Sequence, residues 1–104
     1  MLELTREEIM QIPEGMKMDR LINERFYREE RPRFWSQRDA DAIVLMLDIE
    51  QRNGNDFVLT RAGKEYLWYC GSNFKNSLME DWAEGDTWRL AVCRAALLMT
   101  IKAV

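Results

Sequence analysis

The apolar stretch at the end of the chain, Leu90–Val104, is the feature that most constrains the fold. Its pattern predicts a helix over about Trp88–Ile101, capped by Asp86 or Thr87, with apolar residues over much of its circumference. Several of its residues are small, which allows a sheet or another helix to approach closely. They are Ala91, Cys93, Ala95 and Ala96.

Two short helices are predicted at the start of the chain. Thr5-Arg6-Glu7-Glu8 is a capping-box pattern that opens a helix through about Gln11, and Pro13 and Gly15 end it. A second helix is predicted over Met16–Phe26, because apolar residues recur there at steps of three and four. These residues are Met18, Leu21, Ile22 and Phe26, with Arg25 as the alternative to Phe26.

A longer helix is predicted in the middle of the chain, after a loop over Tyr27–Trp35 that contains Pro32. Ser36 is its predicted cap, with Asp39 at the third position, and the helix runs to about Gln51. Its apolar residues cover more than one side, which indicates burial. The predicted buried stripe is Ala40, Ile43, Val44 and Leu47, widened by Leu45, Met46 and Ile49.

The segment after the turn Asn53–Asp56 is rich in aromatic and branched residues and predicts strands. Phe57–Arg61 and Lys64–Cys70, joined through Ala62-Gly63, read as a β-hairpin. Because two strands alone are marginally stable, a third is expected in the only free segment, Asn73–Trp82. One face of the hairpin is expected to pack on the core, with Phe57, Leu59, Tyr66, Trp68 and Cys70. The chain is therefore predicted to be an α+β protein.

Length and charge limit the classes of protein and partner. The chain has 104 residues, which fits a single domain over residues 1–104. Its net charge is −3 and its pI is about 5.0, so binding to nucleic acid or to an anionic membrane is not expected. Two cysteines and the absence of a signal-peptide pattern favour a reducing, cytoplasmic location.

No catalytic group stands out in the sequence. The chain has no histidine, which removes the commonest general base and the commonest metal ligand. The five glycines are scattered, so no phosphate-binding loop is formed. The acidic residues between Glu80 and Asp86 are interpreted as a solvated surface beside a helix start. We expect no enzyme activity, no catalytic residue, no metal and no cofactor.

The segment Arg25–Trp35 has the most functional content, because arginines alternate with aromatic residues. Such a segment can stack bases and bind phosphates. Alternatively, the aromatic rings close the edge of the core while the arginines lie over them and pair with Glu29 and Glu30. A protein-binding patch is a third interpretation. The candidate binding residues are Arg25, Tyr27, Arg28, Arg31, Arg33 and Trp35.

Two ends and one junction of the chain resemble the phage ABA sandwich domain family. Leu4–Ile9 followed by Gly15–Ile22 is similar to the family's Thr-Arg-Glu-Glu-Ile helix and the Gly-led helix after it. Leu90–Leu98 is similar to its closing Leu-Ala-Ile-Cys-Arg-Ala-Ala-Leu-Leu helix, and Trp35-Ser36 fits an aromatic–serine junction. The resemblance implies a three-layer α-β-α sandwich with a small antiparallel sheet, a phage or prophage origin and a bacterial cytoplasm. It implies no activity.

Two functions are therefore expected from the sequence. The first is a non-enzymatic phage or prophage accessory protein that binds a host or phage protein. The second is a small-ligand or nucleotide-binding protein that uses the Arg25–Trp35 segment. A homodimer is a further expectation, since small domains gain buried surface by pairing and the aromatic strands offer a face for it.

Overall fold

The computed structural model describes residues 4–28, 33–52, 57–62, 67–71 and 83–102. Within them the chain forms four α-helices, one π-helical segment and a three-stranded antiparallel sheet in the order β1-β2-β3. The helices are α1 (Arg6–Gln11), α2 (Met16–Leu21), α3 (Asp39–Arg52) and α4 (Trp88–Lys102), and the π-helical segment is Ile22–Tyr27. The strands are β1 (Val58–Ala62), β2 (Leu67–Gly71) and β3 (Ala83–Gly85).

The capping signals at both ends of the chain are confirmed. The Glu8 amide donates to Thr5 Oγ1 at 3.2 Å, and the Thr5 amide donates to Glu8 Oε1 at 3.2 Å, which completes the capping box of α1. At the start of α4, the Leu90 amide donates to Thr87 Oγ1 at 3.2 Å. Thr87, rather than Asp86, is therefore the cap.

The second predicted helix is present but changes its geometry halfway. Its α-helical part ends at Leu21, and a π-helical segment continues to Tyr27. The predicted stripe is confirmed, since Met18, Ile22 and Phe26 are buried. The segment ends at Arg28, whose left-handed backbone (φ 58°) lets its amide donate to the carbonyl of Asn23.

The predicted cap of α3 is wrong. The helix begins at Asp39, three residues beyond Ser36. Ser36 is fully buried, and both its amide and its Oγ donate to Asp19 Oδ1 at 2.7 Å. The side chain therefore binds a carboxylate on α2 and does not cap its own helix.

The predicted buried stripe of α3 is wrong for Ala40, Ile43 and Leu47, whereas Leu45 and Ile49, which were predicted to widen it, are fully buried. The helix buries one side and exposes the side that carries most of the predicted stripe: Ile43 is 45% exposed, Leu47 is 57% exposed, and Val44 is half-buried. The two sides are called the inner and outer faces below. The inner face is Ala42, Leu45 and Ile49, which are all fully buried, and the outer face is Ala40, Ile43 and Leu47.

The β-hairpin is confirmed with slightly shifted bounds. In β1 and β2, Leu59 pairs with Cys70 and Ala62 pairs with Leu67. The predicted one-sided packing holds for the described residues, because Leu59, Trp68 and Cys70 share a face and contribute to the core. Tyr66 and the connection after Ala62 lie outside the described residues.

A third strand is present, as expected, but it is Ala83–Gly85. The segment Asn73–Trp82, where it was predicted, lies outside the described residues. The strand is hard to recognise from sequence because it has three residues and none is β-branched or aromatic. Gly85 is required here, since a Cβ at this position would lie 2.8 Å from the Ala91 amide nitrogen. The glycine lets β3 lie directly on α4.

Helix α4 lies at the centre of the described fold. It contacts β2 and β3 on one side and α3 and the π-helical segment on another, while α1 contacts both α4 and β3. This position explains the small residues of α4, because Ala91, Cys93, Ala95 and Ala96 are all fully buried. The predicted class, α+β with a small antiparallel sheet packed against helices, is confirmed. Across the described residues, every helix is too short or too polar to cross a lipid bilayer.

Candidate functional site

The structure places Trp35, one of the predicted binding residues, inside the protein. Its side chain is fully buried, and its Nε1 donates to Asn23 Oδ1 at 2.8 Å. One face of its ring stacks on Tyr27, with the ring centroids 4.8 Å apart and the planes 21° apart. Trp35 therefore joins the turn before α3 to the π-helical segment, and a partner has no access to its ring.

Tyr27 is also tied into the fold. Its hydroxyl donates to Asp48 Oδ2 at 2.5 Å, which connects the π-helical segment to α3. Its ring meets Phe26 edge-on, with the centroids 5.0 Å apart. The π-helical geometry places these two consecutive aromatic residues so that Phe26 enters the core and Tyr27 lies half-buried at its edge.

Arg52 completes this aromatic cluster, and no sequence pattern predicted its role. Its Cζ lies 3.8 Å from the centroid of Phe26 and 5.6 Å from that of Tyr27. Its Nη1 donates to the Phe26 carbonyl at 2.6 Å. The last turn of α3 therefore holds the end of the π-helical segment by a cation–π contact and a hydrogen bond. Arg52 lies 26 residues from Phe26, beyond the reach of any local pattern.

The arginines of the segment are placed in three different ways. Arg33 lies over Trp35, with Cζ 5.7 Å from the ring centroid, and its Nη1 is 3.6 Å from Asp41 Oδ1. Arg28 is exposed at the left-handed position, and Arg25 is half-buried. Arg31 lies outside the described residues. The structure thus brings Tyr27, Arg33 and Trp35 into one cluster. The contact of Arg33 with the Trp35 ring fits the core-edge interpretation, whereas its ion pair is with Asp41, and Glu29 and Glu30 lie outside the described residues.

A buried carboxylate forms the polar centre of the α2–α3 junction. Asp19 is 4% exposed, and its Oδ1 accepts from the amide and the Oγ of Ser36, both at 2.7 Å. Its Oδ2 accepts from Gln37 Nε2 at 2.8 Å, and Ser36 Oγ in turn accepts from the Gly15 amide at 2.9 Å. Sequence reasoning missed this site, because Ser36 lies 17 residues from Asp19.

The two thiols have the environment of structural cysteines. Burial raises the pKa of Cys70 far above its ordinary value. Burial also raises the pKa of Cys93, and the negative charge of Asp19 adds to that rise. At neutral pH both groups are therefore protonated and poor nucleophiles. Within the described ranges, no group of three or more acidic or cysteine side chains is placed to hold a metal ion.

Arg94 is buried enough to need internal partners. Its Nη1 donates to the Glu84 carbonyl at 2.8 Å, and its Nη2 donates to the Ile12 carbonyl at 3.1 Å. Burial lowers the pKa of its guanidinium, which nevertheless stays charged at neutral pH. The side chain links α4 to β3 and to the end of α1, so its contacts are those of a structural residue.

The outer face of α3 is the apolar surface that stands out. Ile43 and Leu47 are four residues apart and lie side by side on the helix. Ala40 extends the same face by one turn and is exposed. Other exposed large apolar residues are Met16 on α2, at 70%, and Phe34, at 39%, over whose ring Arg38 lies with Cζ at 4.4 Å. The outer face is a candidate contact surface that sequence reasoning assigned to the core.

Neither a protein-family model, nor a curated protein, nor a solved structure matches this chain.

Proposed function

We propose that this chain is a non-enzymatic accessory protein of a bacteriophage or prophage that acts in the host cytoplasm by binding another protein. The phage origin and the compartment rest on the resemblance of Leu4–Ile9, Gly15–Ile22 and Leu90–Leu98 to the phage ABA sandwich domain family. The binding function rests on the surface of α3.

The observation that carries the binding function is the contrast in exposure around α3. Leu45 and Ile49 are fully buried, whereas Ile43 and Leu47 on the opposite side are 45% and 57% exposed. Two adjacent large apolar side chains on one exposed face form a candidate interaction surface, because a partner that covers them removes apolar area from water. Each fully buried leucine or isoleucine gains about 1.5–3 kcal/mol relative to exposure.

Two features support a function without catalysis. The chain has no histidine, and burial raises the pKa of both thiols so that neither is a nucleophile at neutral pH. Among the described residues the one deeply buried carboxylate is Asp19, which accepts hydrogen bonds from Ser36 and Gln37. Its acceptor capacity is used in joining α2 to the turn before α3.

The nucleotide-binding alternative has weaker support. Base stacking needs an aromatic face that is open to the ligand. Trp35 is fully buried, and one face of Tyr27 is occupied by Trp35. Arg33 is engaged by Asp41 and Trp35. The described contacts therefore favour packing over ligand binding in this segment.

Affinity capture from a bacterial lysate with three immobilised proteins tests the proposed function: the unmodified protein, Leu47→Asp and Met16→Asp. Met16 is the matched control, because it is an exposed apolar residue on a different helix. We expect the unmodified protein and Met16→Asp to retain the same partner and Leu47→Asp to lose it. Equal retention by all three proteins, or by none, contradicts binding through α3.

A further inference from the structure

We propose that the outer face of α3 receives the apolar side of a basic amphipathic helix from another protein, an inference that rests on the proposed function and names its partner class. The occupant is defined by two properties of α3: the shape of its exposed apolar ridge and the charges around that ridge.

The shape of the outer face fits a helix. Ala40, Ile43 and Leu47 occupy positions i, i+3 and i+7, the spacing of a straight ridge along one side of a helix. The ridge from Ala40 to Leu47 covers about 10.5 Å, half of α3, whose 14 residues span about 21 Å. A partner helix with apolar residues at the same spacing buries such a ridge side against side, with its own side chains between those of α3.

The charges of α3 favour a basic partner. The helix carries four carboxylates, from Asp39, Asp41, Asp48 and Glu50, and a single base, Arg52. That base is turned onto the Phe26 carbonyl and ring, so its charge is directed toward the protein. The helix itself therefore contributes more acids than bases to the surface beside the ridge.

The four carboxylates of α3 differ in whether an arginine of the protein already pairs with them. Arg89 Nη1 donates to Asp39 at 2.6 Å, and Arg33 lies 3.6 Å from Asp41. Asp48 accepts from the neutral hydroxyl of Tyr27, and neither it nor Glu50 forms an ion pair with a described residue.

Glu50 lies three residues beyond Leu47, next to it on the same side of the helix. A lysine or arginine on the partner that reaches Glu50 gains a charge contact at the end of the ridge. A glutamate there is repelled.

A second copy of this chain fits the face less well. Two copies paired through α3 bring together two carboxylates from each copy, those of Asp48 and Glu50, that form no ion pair with a described residue. Each copy also carries a net charge of −3. Like charges set against each other across an interface are unfavourable and act against self-pairing. The charge pattern therefore points to a different, basic chain.

The probe is a pair of labelled synthetic peptides of about 18 residues, long enough to cover the face of α3. Both have leucines at helical spacing; one has lysines on either side of the leucines and the other has glutamates. Fluorescence anisotropy measures their affinities for the intact protein, and chemical-shift changes in ¹⁵N spectra locate the contact. We expect the lysine peptide to bind at least about tenfold more tightly than the glutamate peptide, with shifts centred on the outer face.

Two variants separate the apolar and the charged contributions. Leu47→Ala is expected to weaken binding of the lysine peptide by about tenfold, because it removes half-exposed apolar surface from the contact. Glu50→Gln is expected to reduce the preference for the lysine peptide by about two- to fivefold and to leave the apolar contact in place. Met16→Ala is expected to change neither value.

Four results overturn the inference, and they differ in what they mean for the proposed function. Equal binding of both peptides at α3 removes the basic partner and retains protein binding there. Binding that maps elsewhere and survives Leu47→Ala contradicts both. Concentration-dependent self-association that Leu47→Ala abolishes makes a second copy the occupant. Binding of neither peptide excludes a helix of this class, and the proposed function then depends on the lysate capture alone.

Discussion

The two faces of α3 have the same composition, but one is buried and the other is exposed. The inner face, with Ala42, Leu45 and Ile49, is fully buried and packs into the core with α4. The outer face also has one alanine, one isoleucine and one leucine, yet Ile43 and Leu47 remain about half exposed. An apolar stripe at helical spacing is thus compatible with either a core contact or a surface that another chain covers.

Helical periodicity does not distinguish the two faces of α3. Ala40, Ile43 and Leu47 follow the i, i+3, i+7 pattern, and so do the three inner residues with Ala42 at i, Leu45 at i+3 and Ile49 at i+7. The choice between them is made by the residues that hold α3 in place. Tyr27 binds Asp48, and the Arg52 side chain binds the Phe26 carbonyl, which fixes the rotation of α3 about its own axis.

The largest expected effect contrasts two leucines of α3. Leu45→Ala is expected to lower the free energy of unfolding by about 2–5 kcal/mol, because it leaves a cavity in the core. Leu47→Ala is expected to change it by no more than about 0.5 kcal/mol, because its side chain is half exposed. Urea denaturation of both variants measures the difference. Equal losses of unfolding free energy in Leu45→Ala and Leu47→Ala would contradict the distinction between a buried and an exposed face.

A second comparison of unfolding free energies sets the buried carboxylate Asp19 against Asp41. Asp19→Ala is expected to cost about 1–3 kcal/mol, because the buried amide and hydroxyl of Ser36 lose their acceptor. Asp41→Ala is expected to cost less, about 1 kcal/mol, since its carboxylate accepts one hydrogen bond, from the Phe34 amide at 2.9 Å, and pairs at 3.6 Å with the partly exposed Arg33. The same denaturation experiment gives both values. A smaller loss for Asp19 than for Asp41 would show that the α2–α3 junction is not held by this carboxylate.

The smallest expected effect is a pH dependence of the core that the inner face joins. Cys70 and Cys93 lie in that core, and burial raises the pKa of each thiol. In the unfolded chain a thiol has a pKa of about 8.5 and releases its proton above it, whereas the folded chain keeps it. The stability that the protonated thiols contribute to the folded chain is therefore fully present below about pH 8.5 and is lost as the pH rises.

We expect the free energy of unfolding to fall by about 1 kcal/mol per buried thiol between about pH 8.5 and 9.5. Cys93→Ala is the control, because it removes one of the two titrating thiols and should make the decline shallower. Denaturation curves at several pH values measure the slope. A decline of the same steepness in Cys93→Ala would assign it to other groups.

Local signals predicted the parts of the fold that neighbouring residues determine. The caps at Thr5 and Thr87 and the hairpin of β1 and β2 depend on contacts within a few residues, and all three are confirmed. The position of β3 was not predictable, because Ala83-Glu84-Gly85 has no strand pattern and forms a strand by pairing with β2 and lying on α4. Whether this segment forms a strand therefore depends on tertiary contacts.

The candidate site was predicted less completely, for the same reason. The sequence singled out Tyr27, Arg33 and Trp35, and the structure brings these three together. It gave no indication of Arg52, which binds Phe26 from 26 residues away, or of the Asp19–Ser36 contact across 17 residues. Contacts of this kind do not produce a periodic sequence pattern. Each partner is a single polar residue, and many other residue types would fit the same position of its helix or turn.

The unfolding free energy of Leu47→Asp tests the central claim most directly. The claim is that the outer face of α3 is not part of the core. If it is correct, a charge at position 47 stays in water, and the variant unfolds within about 1 kcal/mol of the unmodified protein, the cost of a poorer helix former near Glu50, while it no longer retains the partner. A loss of about 2 kcal/mol or more would mean that the charge is being buried, and would contradict an outer face left free for a partner.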